Sequence, residues 1–343
     1  MTRRAVTLLA AAALMATSAM ADPKHTILEF SDLNGWADDD HSAALEVFKN
    51  TCGDLTDPDW ASLCKVAETV TNPREFFELF FVPMLIEDGE PMLFTGYFEP
   101  ELHGSMEPDD RFKYPIYRIP EEATAGPWLT RREIEETDAL AGRGLELAWL
   151  DDPVDVFFLQ VQGSGRIRMQ DGHSIRVGYA GKNGQEYSSI GRELVRRGVY
   201  TEHEVSAQVI RNWVRENPEA GRALLWVNDS YVFFREVSDV PADKGPLGAM
   251  NRSITTLRSI AVDPAFTPLG APVWIEKKGE TPMARLMIAQ DTGSAIKGAQ
   301  RADIFYGTGQ RAGVEAGKIS DGGRMIVLLP IQRAYALLPE TVL

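Results

Sequence analysis

Short apolar segments dominate the C-terminal part of the chain, and they constrain its fold more than any other feature. They are separated by turns rich in glycine and proline and occupy residues 259–263, 272–276, 283–290 and 324–329. Short strands at regular spacing with such turn signals are typical of β-barrels and β-sandwiches. We therefore predict that this part of the chain forms one of these two architectures.

Helices are predicted ahead of this region. Residues 42–48, 60–67 and 73–81 carry apolar side chains at helical spacing. Asp57 and Asn72 each stand directly before a proline, which is the usual order of an N-cap and a first-turn residue. The fold class is therefore predicted to be mainly β with N-terminal helices.

The middle of the chain mixes both patterns. We predict a β-hairpin over residues 155–169 that turns at the glycine-rich residues 163–165. The remaining predictions are strands at 92–102 and 230–236 and helices at 189–197 and 205–216.

Composition excludes several function classes. The 343 residues are 44% hydrophobic and 25% charged, as in ordinary globular proteins, and the length indicates two domains. Polar stretches at 104–111 and 238–248 are candidate crossings between those domains.

A net charge of −15 without a basic run argues against nucleic-acid binding. The five His and two Cys have no ligand spacing, so we expect no metal and no cofactor.

The N-terminal residues have the pattern of a secretory signal peptide. Arg3 and Arg4 precede an apolar stretch at residues 5–16, and Ala19-Met20-Ala21 fits a cleavage site. The stretch is shorter than the ~20 residues of a membrane span. We predict a signal peptide at residues 1–21, with an uncleaved N-terminal anchor as the alternative, and no stable membrane insertion after cleavage.

Export would place the two cysteines in an oxidising compartment. Cys52 and Cys64 are then candidates for a disulfide, and the alternative is a pair of buried free thiols. A bridge closing a loop of this length would stabilise the fold by ~3 kcal/mol.

The densest candidate for chemistry lies between residues 289 and 309. Asp291 and Asp303 stand at the edges of strand-like segments, with glycines and Lys297 between them, and Asp263 ends a similar strand upstream. A carboxyl group in such a half-buried place can have a raised pKa, as a general acid requires. The simpler interpretation is that each Asp bonds backbone N–H groups in a turn at a strand end.

The surroundings of these aspartates resemble the three-aspartate barrel domain of the membrane-bound lytic murein transglycosylase A family. Each stretch is weakly specific alone, but the whole set occurs in order along the chain. The stretches are Thr95-Gly96-Tyr97-Phe98-Glu99-Pro100, Tyr114-Pro115-Ile116-Tyr117-Arg118, Gln160-Val161-Gln162-Gly163-Ser164-Gly165, Tyr179-Ala180-Gly181-Lys182-Asn183-Gly184, Ser189-Ile190-Gly191-Arg192 and residues 295–309.

This resemblance implies a double-psi β-barrel domain with a second, smaller β domain inserted into it and a groove between the two. The barrel domain would be discontinuous, at residues 22–101 and 241–343, and the insert would span 102–240. The polar stretches at 104–111 and 238–248, which composition alone indicates as crossings, agree with these limits.

The resemblance also implies the chemistry. Lytic transglycosylases cut the β-1,4 bond between N-acetylmuramic acid and N-acetylglucosamine in peptidoglycan and leave a 1,6-anhydro ring. Asp303, before Ile304-Phe305-Tyr306-Gly307, matches the family's single acid/base residue. Asp291 is expected to orient the reacting groups or to stabilise the positively charged transition state, or else only to anchor its loop. Asp263 is expected to support the barrel loop.

Glycan strands would bind through aromatic faces, amides and hydroxyls. The alternatives are core packing for the tyrosines, a plain turn around Ser164 and a solvated side chain for Lys297. The predicted substrate-binding residues are Thr95, Tyr97, Gln160, Gln162, Ser164, Tyr179, Lys182, Asn183 and Lys297.

Two other functions compete with the lytic one. A peptidoglycan-binding protein without activity would keep the groove, and a hydrolytic muramidase would need a second carboxylate, which Asp291 could supply. Family members at the outer membrane carry a lipidated cysteine, and no cysteine lies near the predicted cleavage site. We therefore expect a periplasmic, non-lipidated monomer.

Overall fold

A computed structural model describes residues 22–338, so the predicted signal peptide at 1–21 lies outside the described residues. Three helices predicted from the sequence are confirmed in the N-terminal part, and Asn72 caps the third by accepting from the N–H of Glu75. The elements of this part are β1 (Lys24–Ile27), α1 (His41–Thr51), α2 (Pro58–Ala67), α3 (Pro73–Phe80), β2 (Phe81–Glu87) and β3 (Leu93–Glu99).

Cys52 follows α1 directly and is disulfide-bonded to Cys64 on α2. The bridge ties the end of α1 to α2, and both helices pack through Phe48 and Trp60 into one apolar cluster. The same cluster contains Trp274 from the sheet beneath the helices.

The middle of the chain builds a second sheet and a group of helices. Its six strands have the order β5-β6-β4-β7-β8-β9. The elements are β4 (Glu101–Ser105), β5 (Tyr114–Tyr117), α4 (Arg131–Glu136), β6 (Glu146–Leu150), α5 (Pro153–Gln162), β7 (Ser164–Met169), β8 (Ser174–Lys182), α6 (Ile190–Arg196), α7 (Ala207–Glu216), α8 (Pro218–Leu225) and β9 (Val232–Glu236).

The predicted hairpin at 155–169 is wrong, because its first arm is helix α5. The valines and phenylalanines of this run favour a strand, but the flanking residues favour a helix. Asp152 accepts from the N–H of Val154 as N-cap, and Pro153 occupies the first turn. Gly163 ends the helix with φ of +77°, a left-handed conformation that favours glycine. Helix α8 was also not anticipated.

The C-terminal part completes the first sheet. Its nine strands have the order β1-β2-β15-β11-β12-β10-β13-β3-β14, with parallel pairing of β10 to β12 and of β13 to β3. The elements are β10 (Ser259–Val262), β11 (Pro272–Lys277), β12 (Met283–Thr292), β13 (Arg301–Thr308), α9 (Gln310–Ala316), β14 (Ser320–Asp321), β15 (Gly323–Pro330) and α10 (Ile331–Ala336).

Two apolar clusters flank this sheet. One packs the N-terminal helices against β2, β11 and β15, and the other fills the interior between β3, β10, β12 and β13. Within residues 22–338 the edge strands β1 and β14 do not pair with each other, so hydrogen bonds do not close the sheet into a complete barrel.

The chain changes from the first sheet to the second at Pro100, between β3 and β4. The polar stretch 104–111 therefore lies inside the second domain and is not the crossing predicted from composition. The second polar stretch, 238–248, does connect β9 with β10 and returns the chain to the first sheet.

Candidate active site

A cavity of about 190 Å³ lies where the two domains meet, and side chains from both line it. The first domain contributes Tyr97, Asp291, Arg301 and Asp303, and residues 292–296. The second domain contributes Arg131, Gln160, Val161, Gln162, Tyr187, Asn228, Ser230 and Val232.

Strand β10 brings the two cavity aspartates to one face of the sheet. Its Ala261 is in register with Asp303 on the antiparallel neighbour β13 and with Asp291 on the parallel neighbour β12. Directly paired residues on adjacent strands point to the same face. Adjacent strands lie about 4.8 Å apart, so the two Cα atoms are separated by roughly 10 Å.

Asp303 accepts one hydrogen bond. The hydroxyl of Thr95, its register partner on β3, donates to Oδ1 at 2.7 Å. Arg301 Nη2 donates to the Thr95 oxygen at 2.9 Å. Burial raises the pKa of Asp303 to about 6, against the lowering effects of the Thr95 hydroxyl and the Arg301 charge. Within residues 22–338, Oδ2 of Asp303 has no hydrogen-bond partner.

Asp291 is held by three donors. The backbone N–H groups of Ala249 and Thr292 both donate to Oδ1 at 2.9 Å, and the Tyr97 hydroxyl donates to Oδ2 at 2.9 Å. Burial raises the pKa of Asp291 to about 6 in spite of these donors, which favour the charged form. Gly248 lets the return segment approach this closely, since a Cβ there would lie 2.7 Å from the Gln290 carbonyl oxygen.

Tyr97 stands two residues after Thr95 on β3, so both side chains share one face of the strand. Its ring lies 5.3 Å from that of Phe305, centroid to centroid. Burial and the neighbouring Asp291 keep the pKa of the Tyr97 phenol well above its ordinary value. The phenol therefore stays protonated and acts as a donor.

The two predicted glutamines form part of the second domain's wall. Oε1 of Gln162 accepts from the N–H of Phe98 at 3.0 Å and so ties the end of α5 to β3. Oε1 of Gln160 accepts from Arg131 Nη2 at 2.5 Å. Gln160 is buried but lines the cavity, so only a small part of its side chain could contact a ligand there.

Other predicted binding residues lie outside the cavity lining. Ser164 is buried at the start of β7, and Tyr179 on β8 is 52% exposed. Lys182 Nζ donates to the Gln185 carbonyl at 3.5 Å. Asn183 is fully buried and donates to the carbonyls of Leu129 and Asp229 while accepting from the Tyr231 N–H. Asn183 therefore joins its own segment by hydrogen bonds to the segments around Leu129 and Asp229, and it does not line the cavity.

The carboxylate of Asp263 hydrogen-bonds the loop before β13. Its carboxylate accepts from the N–H groups of Gly298 at 3.0 Å and Ala265 at 3.2 Å. Lys297 is largely exposed, outside the cavity lining, with Nζ 3.8 Å from Asp263 Oδ1.

Two arginines and a backbone donor were not identified as site groups from the sequence. Arg301 stands two residues before Asp303 on the same strand, and this spacing alone puts both on one face. Arg131 and the N–H of Ala249 belong to distant segments and carry no local signal. No group of three or more potential metal ligands is found among residues 22–338, and no helix in that range is long and apolar enough to span a membrane.

Sequence profiles of two families match the chain. The MltA specific insert domain matches residues 93–235, and the 3D domain matches residues 258–329. Membrane-bound lytic murein transglycosylase A of Vibrio cholerae is 38% identical over 73% of this chain and 69% of its own length. The protein of the same name from Escherichia coli K12 is 38% identical over 68% of this chain and 65% of its own length.

Solved structures agree in fold. The crystal structure of a membrane-bound lytic murein transglycosylase from Agrobacterium tumefaciens superposes with a TM-score of 0.82 at 35% identity, covering 91% of this chain and 99% of that one. Escherichia coli MltA with bound chitohexaose gives a TM-score of 0.73 at 30% identity, covering 89% and 94%. The chain therefore belongs to the membrane-bound lytic murein transglycosylase A family.

Proposed function

We propose that this protein cleaves the β-1,4 bond between N-acetylmuramic acid and N-acetylglucosamine in peptidoglycan, forms 1,6-anhydro-N-acetylmuramic acid, and uses Asp303 as its only acid and base. The observation that carries this proposal is the contrast between the two cavity aspartates. Asp303 has one oxygen without a hydrogen bond within residues 22–338, whereas three donors hold both oxygens of Asp291.

The raised pKa of Asp303 suits the first step. Near pH 6 about half of the molecules carry the carboxylic acid, which is the form that donates. Its proton passes to the glycosidic oxygen, and the bond between that oxygen and C1 of N-acetylmuramic acid breaks. Asp303 is then a carboxylate.

The second step uses the same carboxylate as base. The C6 hydroxyl of N-acetylmuramic acid attacks C1, its oxygen forms the new C1–O6 bond, and its proton passes to Asp303. No water is consumed, and the acid is regenerated. Since the nucleophile belongs to the substrate, the step avoids the entropy cost of binding a second reactant.

Asp291 supports the positive charge that develops on the sugar ring in the transition state. Its ionised form lies on the same face of the sheet as Asp303, and its three donors fix its position. A hydrolytic enzyme would need Asp291 to activate a water. An oxygen that already accepts from Tyr97 or from two backbone groups is poorly placed to take a proton from water.

The groove between the domains suits a glycan strand. Chitohexaose, an uncharged chain of N-acetylglucosamine units, is bound in the related Escherichia coli structure. We propose that residues 102–240 form one wall of the groove and residues 22–101 and 241–338 the other. Because the net charge is −15, affinity would come from neutral sugar contacts rather than attraction to an anionic polymer. Action in the periplasm follows if the predicted signal peptide directs export.

Mass analysis of the products released from purified murein separates the candidate functions. We expect muropeptides that end in a 1,6-anhydro ring. Products heavier by one water would establish a muramidase, and binding without cleavage would establish a non-catalytic protein. Either of these results would reject the proposal.

A further inference from the structure

A second, larger cavity lies wholly within the inserted domain. Its volume is about 560 Å³, against about 190 Å³ for the catalytic cavity. It is lined mainly by strand β5 and by helices α4, α5, α7 and α8. Volumes of about 300–1,000 Å³ are typical of sites for small organic ligands. Nothing in the proposed cleavage mechanism uses this space.

Arg131 forms a wall shared by the two cavities. Its guanidinium lies 4.6 Å from the ring centroid of Phe157 and 5.0 Å from that of Tyr231, which both line the larger cavity. The same guanidinium donates to Gln160 and to the Ser230 carbonyl, which line the catalytic cavity. The larger cavity is therefore only one side chain away from the site of cleavage.

The lining combines aromatic rings with charges of both signs. Tyr114, Tyr117 and Trp226 provide apolar surface. Within residues 22–338, the side chains of Asp138 and Arg222 take part in no hydrogen bond or ion pair, although both line the cavity and are exposed. Burial raises the pKa of the Tyr117 phenol to about 12, and the negative charges of Glu146 and Asp138 add to this effect.

This lining suits a ligand that has an apolar body and both kinds of charge. A glycan chain of N-acetylhexosamines is uncharged, so it would leave Asp138 and Arg222 without partners. A short peptide with free amino and carboxyl groups would pair with both. Because the larger cavity adjoins the cleavage site, we infer that it binds the peptide branch that peptidoglycan carries on N-acetylmuramic acid. This inference rests on the proposed function and names a second part of its substrate.

Binding measurements on the full protein test the inference. The probes are the free stem tetrapeptide L-Ala-γ-D-Glu-meso-diaminopimelate-D-Ala and chitohexaose, each titrated by calorimetry. We expect the tetrapeptide to bind, and to bind about tenfold more weakly to Arg222→Gln and Asp138→Asn, as the loss of a charge-assisted hydrogen bond implies. Arg168→Gln, at an exposed arginine of the same domain that lines neither cavity, is the matched control and should bind normally.

Chitohexaose binding and the cleavage of peptide-free glycan should be unchanged in all three variants. The inference is overturned if the tetrapeptide does not bind, if it binds both cavity variants as tightly as the wild type, or if chitohexaose displaces it. Failure of the proposed function would give a different result, because anhydro products would then be absent from every substrate, including peptide-free glycan.

Discussion

The hydroxyl of Thr95 donates to Oδ1 of Asp303 across the parallel pair β3 and β13, at 2.7 Å. Arg301 in turn donates to the Thr95 oxygen, which orients the hydroxyl proton towards the carboxylate. The acid/base residue of the proposed mechanism is thus positioned by a neighbour on the adjacent strand, and Oδ2 remains available to the substrate.

Replacing Thr95 with valine removes this hydrogen bond at almost constant volume. The bond favours the charged form of Asp303, so its loss raises the pKa of that carboxyl further. We expect the alkaline limb of the pH–rate profile to move to higher pH, with kcat roughly tenfold lower because Asp303 is less well oriented. Thr69→Val, at an exposed threonine outside the site, is the control. An unmoved limb would show that Thr95 does not act on Asp303.

The pH dependence of activity separates the roles of the two aspartates. In the proposed mechanism Asp303 must be protonated to begin the reaction and Asp291 must be ionised to stabilise the transition state. Burial raises both pKa values to about 6. The wild type should therefore show a bell-shaped profile of kcat/KM centred near pH 6. Asp291→Asn should be slower and should lose the fall on the acidic side. An intact acidic limb in this variant would assign that limb to another group.

Stability should also depend on Asp303. A carboxyl with a raised pKa binds more protons in the native state than in the unfolded state between about pH 4 and pH 6. The free energy of unfolding therefore falls as pH rises through this window. Asp303→Asn removes that loss, so the variant should be more stable than the wild type at pH 7, by of the order of 2 kcal/mol.

Urea denaturation at pH 4 and pH 7 measures this difference, which should be close to zero at the lower pH. Asp243→Asn, at an exposed aspartate in the return segment, is the matched control and should change little at either pH. Equal stability of Asp303→Asn and wild type at both pH values would mean that the carboxyl is not desolvated.

Glu99 joins the two domains through a buried ion pair. The end of β3 places it against Arg166 and Arg176 of the second sheet, at 3.0 Å and 2.8 Å, and the hydroxyl of Thr308 donates to it at 2.7 Å. Glu99→Gln leaves two poorly exposed guanidinium groups without a counter-charge. We expect the free energy of unfolding to fall by about 3 kcal/mol.

Glu101→Gln is a suitable control two residues further along. Its carboxylate is exposed and 4.0 Å from Arg168, and such surface pairs contribute little. Chemical denaturation measures the free energy of unfolding of both variants. An equal loss in the two would disprove a structural role for the Glu99 pair.

Much of the fold follows from local patterns, and the failures have physical causes. The capped helices at Asp57 and Asn72 and the strand at 283–290 were predicted because periodicity and caps are local signals. Helix α5 was missed because aromatic and β-branched side chains suggested a strand, while the residues that fix the helix, Asp152 and Gly163, lie at its ends.

For the site, too, local sequence patterns predict some residues and miss contacts that form only on folding. Thr95 and Tyr97 were predicted to bind substrate, and in the structure the hydroxyl of each donates a hydrogen bond to one cavity aspartate. Asn183 was predicted to bind substrate because its residue type suits a sugar, but tertiary packing uses its amide to join distant backbone segments. The Ala249 N–H that holds Asp291 could not be foreseen, since that contact exists only after the return segment folds over the sheet.

In the proposed mechanism Asp303 alone supplies both proton transfers. This role is tested by the amount of 1,6-anhydro-muropeptide that Asp303→Ala and Asp303→Asn release from purified murein, with chitohexaose binding measured in parallel. Removal of a positioned acid/base group lowers the rate by roughly 10²–10⁴-fold, and here one group serves both steps. We expect no detectable product from either variant, with chitohexaose binding retained. Release of anhydro products by either variant at the wild-type rate would rule out Asp303 as the acid and base.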